Sequence, residues 1–140
     1  MCNLSQLNQE YIALLNARRH EANPRAPIAC FDINLLFGCW LHNATMQRKD
    51  SLYHAAGTLW ELCGTLYNAE KYRNNPKLLA KYIITQLATS PPHAAIQIDG
   101  YLKFVTVTAS KTYFVVRLSN EPTSLDKRER NEFIQALKQD

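Results

Sequence analysis

Residues 51–72, SLYHAAGTLWELCGTLYNAEKY, decide how the rest of the chain is read. They fall into three sevens, LYHAAGT, LWELCGT and LYNAEKY, with Leu52, Leu59 and Leu66 in one column and Tyr53, Trp60 and Tyr67 in the next. Gly57 and Gly64 recur behind them. At about 100° per residue the leucines, Ala56, Cys63 and the aromatics fill one arc, which Ala55, Leu62 and Ala69 widen to roughly 200°. A surface helix carries an apolar stripe of little more than about 100°. The repeat therefore predicts a long helix buried on two sides, at the centre of a bundle.

Upstream of it, Leu4, Leu7, Tyr11, Leu14 and Leu15 recur at helical spacing behind a Ser5 cap. Arg18, Arg19 and His20 are cations suited to that helix's C-terminus. The stretch EANPRAP, with two prolines, reads as a linker. Asp32 is a fitting N-cap for a helix from Ile33 to His42, apolar on nearly every side, and residues 43–50 read as a polar connection. Downstream, Asn75 and Pro76 suit the N-cap and first position of another helix. Leu78, Leu79, Tyr82, Ile83 and Leu87 cover most of its circumference, leaving Lys77, Lys81 and Thr85 as a polar stripe, and Ser90-Pro91-Pro92 ends it.

Beyond residue 93 the period changes from 3.6 to 2. Asp99-Gly100 is a type I′ hairpin signal and Ser110-Lys111 a weaker turn, so residues 94–118 predict a three-stranded antiparallel meander. Its core face would carry Ile96, Ile98, Tyr101, Val105, Val107, Phe114, Val116 and Leu118. After a capping box at residues 123–126, Phe133, Ile134 and Leu137 mark a closing helix. The expected fold is thus α+β and a single domain over residues 1–140. About four helices (5–88) form an N-terminal bundle packed on the meander (94–118), followed by a C-terminal helix (124–138).

With 140 residues, 46% hydrophobic and 20% charged, the chain can bury a core without staples. The stretch MCNLSQLNQEY has neither a basic nor an apolar leader region, and no apolar run nears the ~20 residues of a spanning helix, so a cytoplasmic protein with no membrane partner is expected. Cys2, Cys30, Cys39 and Cys63 are irregularly spaced, which fits free thiols rather than a disulfide framework. The net charge of +4 is uneven: residues 71–117 hold seven basic side chains against Asp99 alone. That asymmetry suits an anionic partner, although surface lysines also keep sheet edges soluble.

Motifs that name a reaction are missing. Cys39 and His42 lie one helical turn apart, and His54 and Cys63 follow, which brings a zinc site to mind. In a continuous helix, nine residues would put His54 and Cys63 on opposite faces, so no metal or other cofactor is expected. Cys39 beside His42 as a nucleophile–base pair would sit in a buried helix. No loop cradles phosphate and no paired carboxylates stand in an apolar setting, so no catalytic residue is assigned. The expectation is a small protein-binding module (an adaptor, regulator or inhibitor), not an enzyme. It would meet another protein or a second copy of itself through Tyr53, Trp60 and Tyr67, where Gly57 and Gly64 allow close approach. The alternative is a winged-helix-like nucleic-acid binder. It would use Lys77, Lys81, Lys111 and Arg117 on phosphates and Phe104 or Tyr113 for stacking.

Overall fold

The computed structural model describes residues 3–55, 60–124 and 127–139. The first helix, α1 (Leu4–Ala22), is capped by Asn3, whose side chain accepts from Gln6 N, rather than by Ser5. It buries Leu7, Tyr11 and Leu15, one face at i, i+4 spacing. A two-residue strand, β1 (Cys30–Phe31), follows the proline-containing linker. Asp32 then caps α2 (Ile33–Lys49) by accepting from Asn34 N at 3.0 Å. This helix runs seven residues past the expected stop at His42, because Asn43 and Met46 are buried against the sheet rather than left in a connection.

The expected helix over residues 51–72 is not formed. Residues 51–55 carry no regular structure, residues 56–59 with Gly57 lie outside the described residues, and Glu61–Thr65 is a strand, β2. Only the four-residue α3 (Ala69–Tyr72) is helical. The reason lies in the second glycine and the alternation around it. Each glycine inside a helix costs about 1 kcal/mol relative to alanine. In β2, by contrast, Leu62 and Gly64 turn to one face, which Leu66 continues just past the strand, and the Phe114 ring fills the space a Gly64 Cβ would need.

As expected, α4 (Pro76–Ala88) starts at Pro76 with Asn75 accepting from Leu78 N at 3.0 Å. Pro91 and Pro92 end it and also open α5 (Pro91–Ile98), where a first strand was expected. Two strands remain of the meander: β3 (Phe104–Ala109) and β4 (Tyr113–Ser119). Ala109 pairs with Phe114 and Ser110 N donates to Tyr113 O, so the turn is Lys111-Thr112 and not Ser110-Lys111. That change displaces the register by two residues, and an even shift leaves the side chains of β3 and β4 on their expected faces, whereas Tyr101, expected in the core, is exposed and Leu102 is buried in its place. The chain ends in α6 (Lys127–Gln139). Of the expected capping box before it, residues 125 and 126 lie outside the described residues.

Together these make an α+β protein whose described residues hold six helices and a mixed sheet of order β1-β3-β4-β2, with β1 parallel to β3 and the other pairs antiparallel. On one face α1 and α4 cover Val105, Val107, Phe114, Val116 and Leu118. On the other, α2 lies over Tyr113, Val115, Thr108 and Arg117, and Phe133 of α6 packs on Phe37 and Trp40 of α2. The sheet is thus buried on both faces instead of closing a helical bundle. Among the described residues no helix is long and apolar enough to cross a membrane.

Two asparagines of α1 finish the β1 side of the sheet. Asn8 accepts from Val107 N at 2.8 Å and donates to Val107 O at 2.9 Å, where β1 no longer reaches. Asn16 does the same for Ala29, at 2.7 and 3.1 Å. Each amide stands in for a neighbouring strand and so closes an edge that would otherwise offer bare backbone.

Candidate functional site

Alternation along β2 sends Glu61 and Cys63 to the α2 side of the sheet, where they meet His42 from α2 and His54 from the loop before the strand. Glu61 is the hub. Its side chain is 1% exposed, one oxygen accepts from Arg117 Nε at 2.7 Å, and the other accepts from Ala55 N at 2.8 Å. That second oxygen, Oε1, also lies 3.3 Å from His54 Nδ1, 3.6 Å from His42 Nε2 and 3.5 Å from Cys63 Sγ. Cys63 Sγ is 3.8 Å from His54 Nδ1. His42 Nε2 donates to Tyr53 O at 2.6 Å, so this ring carries its proton there.

Electrostatics follow from those contacts. Burial alone would raise the Glu61 pKa, but the Ala55 hydrogen bond and the Arg117 guanidinium outweigh it and hold the carboxyl below its usual range. Burial and the charge of Glu61 push the Cys63 thiol up, away from thiolate character. The same His54 nitrogen faces both the thiol and the carboxylate. A nucleophile relay would need one ring nitrogen for each. The expected partner of His42, Cys39, is turned away: its thiol donates to Val115 O at 3.2 Å, and burial pushes its pKa up to about 12.

His54 and Cys63 do not share a helix. A loop and a strand bring His54 and Cys63 to one side, and His42, Glu61 and Cys63 place three donor atoms within 4.8 Å of one another. Three ligand types inside ten residues of sequence, His54, Glu61 and Cys63, were the available signal.

The aromatic column is dispersed. Tyr53 stands edge-on against His42, Trp60 packs at the margin of the α1–α4 core, and Tyr67 is 67% exposed just past β2. Gly64 is covered by Phe114, so it is no bare backbone surface. Of the basic set, Lys77 and Lys81 are exposed on α4 and Lys111 at the hairpin turn. Arg117 is occupied by Glu61, Phe104 is half-buried, and Tyr113 is buried with its hydroxyl bonded to Asp50 at 3.0 Å.

A second feature lies across the molecule. Between α1 and the start of α2, beside β1, runs a groove of about 740 Å³ whose lining includes Leu4, Ile12, Phe31, Ile33 and Leu36 and no charged residue. Phe31 and Ile33 are 43% and 42% exposed, and they flank the capping Asp32. An apolar–acid–apolar triplet after a linker was the sequence signal for them. No protein-family model, curated protein or solved structure matches the chain.

Proposed function

We propose that this chain is a protein-binding module that docks an amphipathic helix of another protein in the groove between α1 and α2. The observation that carries the reading is the groove itself: uncharged and apolar, of a size to take two or three large side chains, with Phe31 and Ile33 half out of the core beside it. Depletion of charge at the centre of a patch is what separates interfaces from ordinary surface. A helix fits better than an added strand because Asn8 and Asn16 already hold the backbone groups that a strand would pair with. In this reading the docking surface is the groove at the β1 edge of the sheet rather than Tyr53, Trp60 and Tyr67. A cytoplasmic, non-enzymatic role goes with this reading, and Cys30, Cys39 and Cys63 lie as free thiols.

A photo-crosslinking residue placed at Ile33 tests it, with the same residue at Lys77 for comparison. The expected result is a specific cross-link to one protein from position 33 and none from position 77, lost when Leu36→Asp is added. Cross-linking to a second copy of the chain would replace the heterologous partner with a homodimer. Salt-sensitive oligonucleotide binding that depends on Lys77, Lys81 and Lys111, with silence at position 33, would replace the reading by the nucleic-acid alternative.

A further inference from the structure

His42, Glu61 and Cys63 place three donor atoms within 4.8 Å of one another, and His54 Nδ1 stands beside two of them, 3.3 Å from Glu61 Oε1 and 3.8 Å from Cys63 Sγ. Zinc sits about 2.0–2.2 Å from nitrogen or oxygen and about 2.3 Å from sulfur, which makes tetrahedral edges of about 3.4 Å between N and O donors and about 3.6 Å to a sulfur. The observed separations are 3.3 Å (His54 Nδ1 to Glu61 Oε1), 3.6 Å (His42 Nε2 to Glu61 Oε1), 3.5 Å (Cys63 Sγ to Glu61 Oε1) and 3.8 Å (Cys63 Sγ to His54 Nδ1). Glu61 is already held by Arg117 and Ala55, yet the thiol and the exposed imidazole also converge on Oε1 through longer contacts of 3.5 and 3.3 Å.

We propose that His42, His54, Glu61 and Cys63 form a site for one tetrahedrally coordinated dication of the zinc class. A thiolate, two imidazoles and a carboxylate are borderline ligands, which select such an ion over magnesium or calcium. On binding, the S–H bond of Cys63 breaks, its proton leaves to solvent, and a metal–sulfur bond forms. His42 gives up its bond to Tyr53 O, and its ring proton moves to Nδ1, so the imidazole stays neutral. Two anionic ligands balance the ion, and Arg117 remains on Glu61 Oε2 as the outer partner that orients the carboxylate. The ion would join three separate parts of the chain: α2, the loop bearing His54, and β2. Its role is then to fasten that loop to the sheet, and the site is independent of the groove.

Cobalt(II) titration of the full chain, freed of metal by a chelator, is the test. Tetrahedral binding through a thiolate gives intense visible bands and a near-ultraviolet sulfur-to-cobalt charge-transfer band, both reversed by zinc. Cys63→Ser should abolish the charge-transfer band. His54→Ala, at a side chain 61% exposed, should weaken binding by more than the about 10–100-fold typical of losing an outer partner. Cys30→Ser, on β1, should change neither, and circular dichroism verifies that each variant is folded. Absence of the charge-transfer band in the wild type, its survival in Cys63→Ser, or unchanged affinity in His54→Ala would overturn the site. Weak bands of six-coordinate cobalt would overturn it as well.

Discussion

Single side chains decide the local geometry at three places. Gly64 lies flat under Phe114, a ring that is fully buried and has nowhere to go. Gly64→Ala should therefore destabilise the protein by about 1–3 kcal/mol, the range for overpacked cores, seen as a lower urea midpoint at unchanged slope. Asn8 serves both backbone groups of Val107 in the interior. Asn8→Ala leaves a buried donor and acceptor unmet and should cost about 2 kcal/mol or more, whereas Ser5→Ala, the cap expected from sequence, should cost almost nothing. Cysteine reactivity separates the thiols in the same way. Because its pKa rises to about 12, Cys39 stays protonated through the neutral range, and the deprotonated form that alkylating agents attack is scarce until pH approaches that value. Iodoacetamide at pH 8 should label the exposed Cys30 within minutes and leave Cys39 unlabelled until denaturant is added, read by peptide mass mapping.

At the scale of elements, legibility followed the caps. α1, α2 and α4 were readable because apolar spacing agreed with a local stop or start signal, as Asn75-Pro76 does for α4. Asp32 shows how much one cap can hold: one oxygen takes Asn34 N and the other takes Thr123 N at 2.8 Å, tying the start of α2 to the approach of α6. Asp32→Ala should cost about 1 kcal/mol for the cap and a similar amount for the second bond, and proteolysis near Thr123 should accelerate. The elements that were misread have two periodicities in one stretch. Residues 94–98 alternate like a strand, yet in α5 it is Gln97 that is 1% exposed and Ile98 that is 44% exposed. Gln97 accepts from the Tyr11 hydroxyl through its side chain and from Arg19 Nε through its backbone, and those partners lie 86 and 78 residues away. No window of local sequence contains them. β2 was hidden for the same reason, since its strand state depends on β4 being present beside it, and with it went the gathering of His54, Glu61 and Cys63.

For the whole molecule, the topology joins the two ends of the chain. β1 pairs in parallel with β3, α1 packs on β3 and α5, and Arg19 donates to Leu102 O from deep in the interior. A chain cut after Gly100 loses β3 and β4, which are the centre of the sheet. It should show no cooperative unfolding transition and should bind the dye ANS, whereas the full chain unfolds in one step. The bond between Asn8 and Val107 spans 99 residues, and it sets a timetable. On a ribosome adding about 5–20 residues per second, Val107 is made roughly 5 to 20 seconds after Asn8. Until Ala88 is made Leu7, Tyr11 and Leu15 have no complete α4 to pack on, and from then until Val107 they can find α4 but not the sheet. A nascent chain in that state presents an apolar helix with nothing finished beneath it, the kind of surface that chaperones hold, so the demand this protein makes on them is set by the position of its last hairpin.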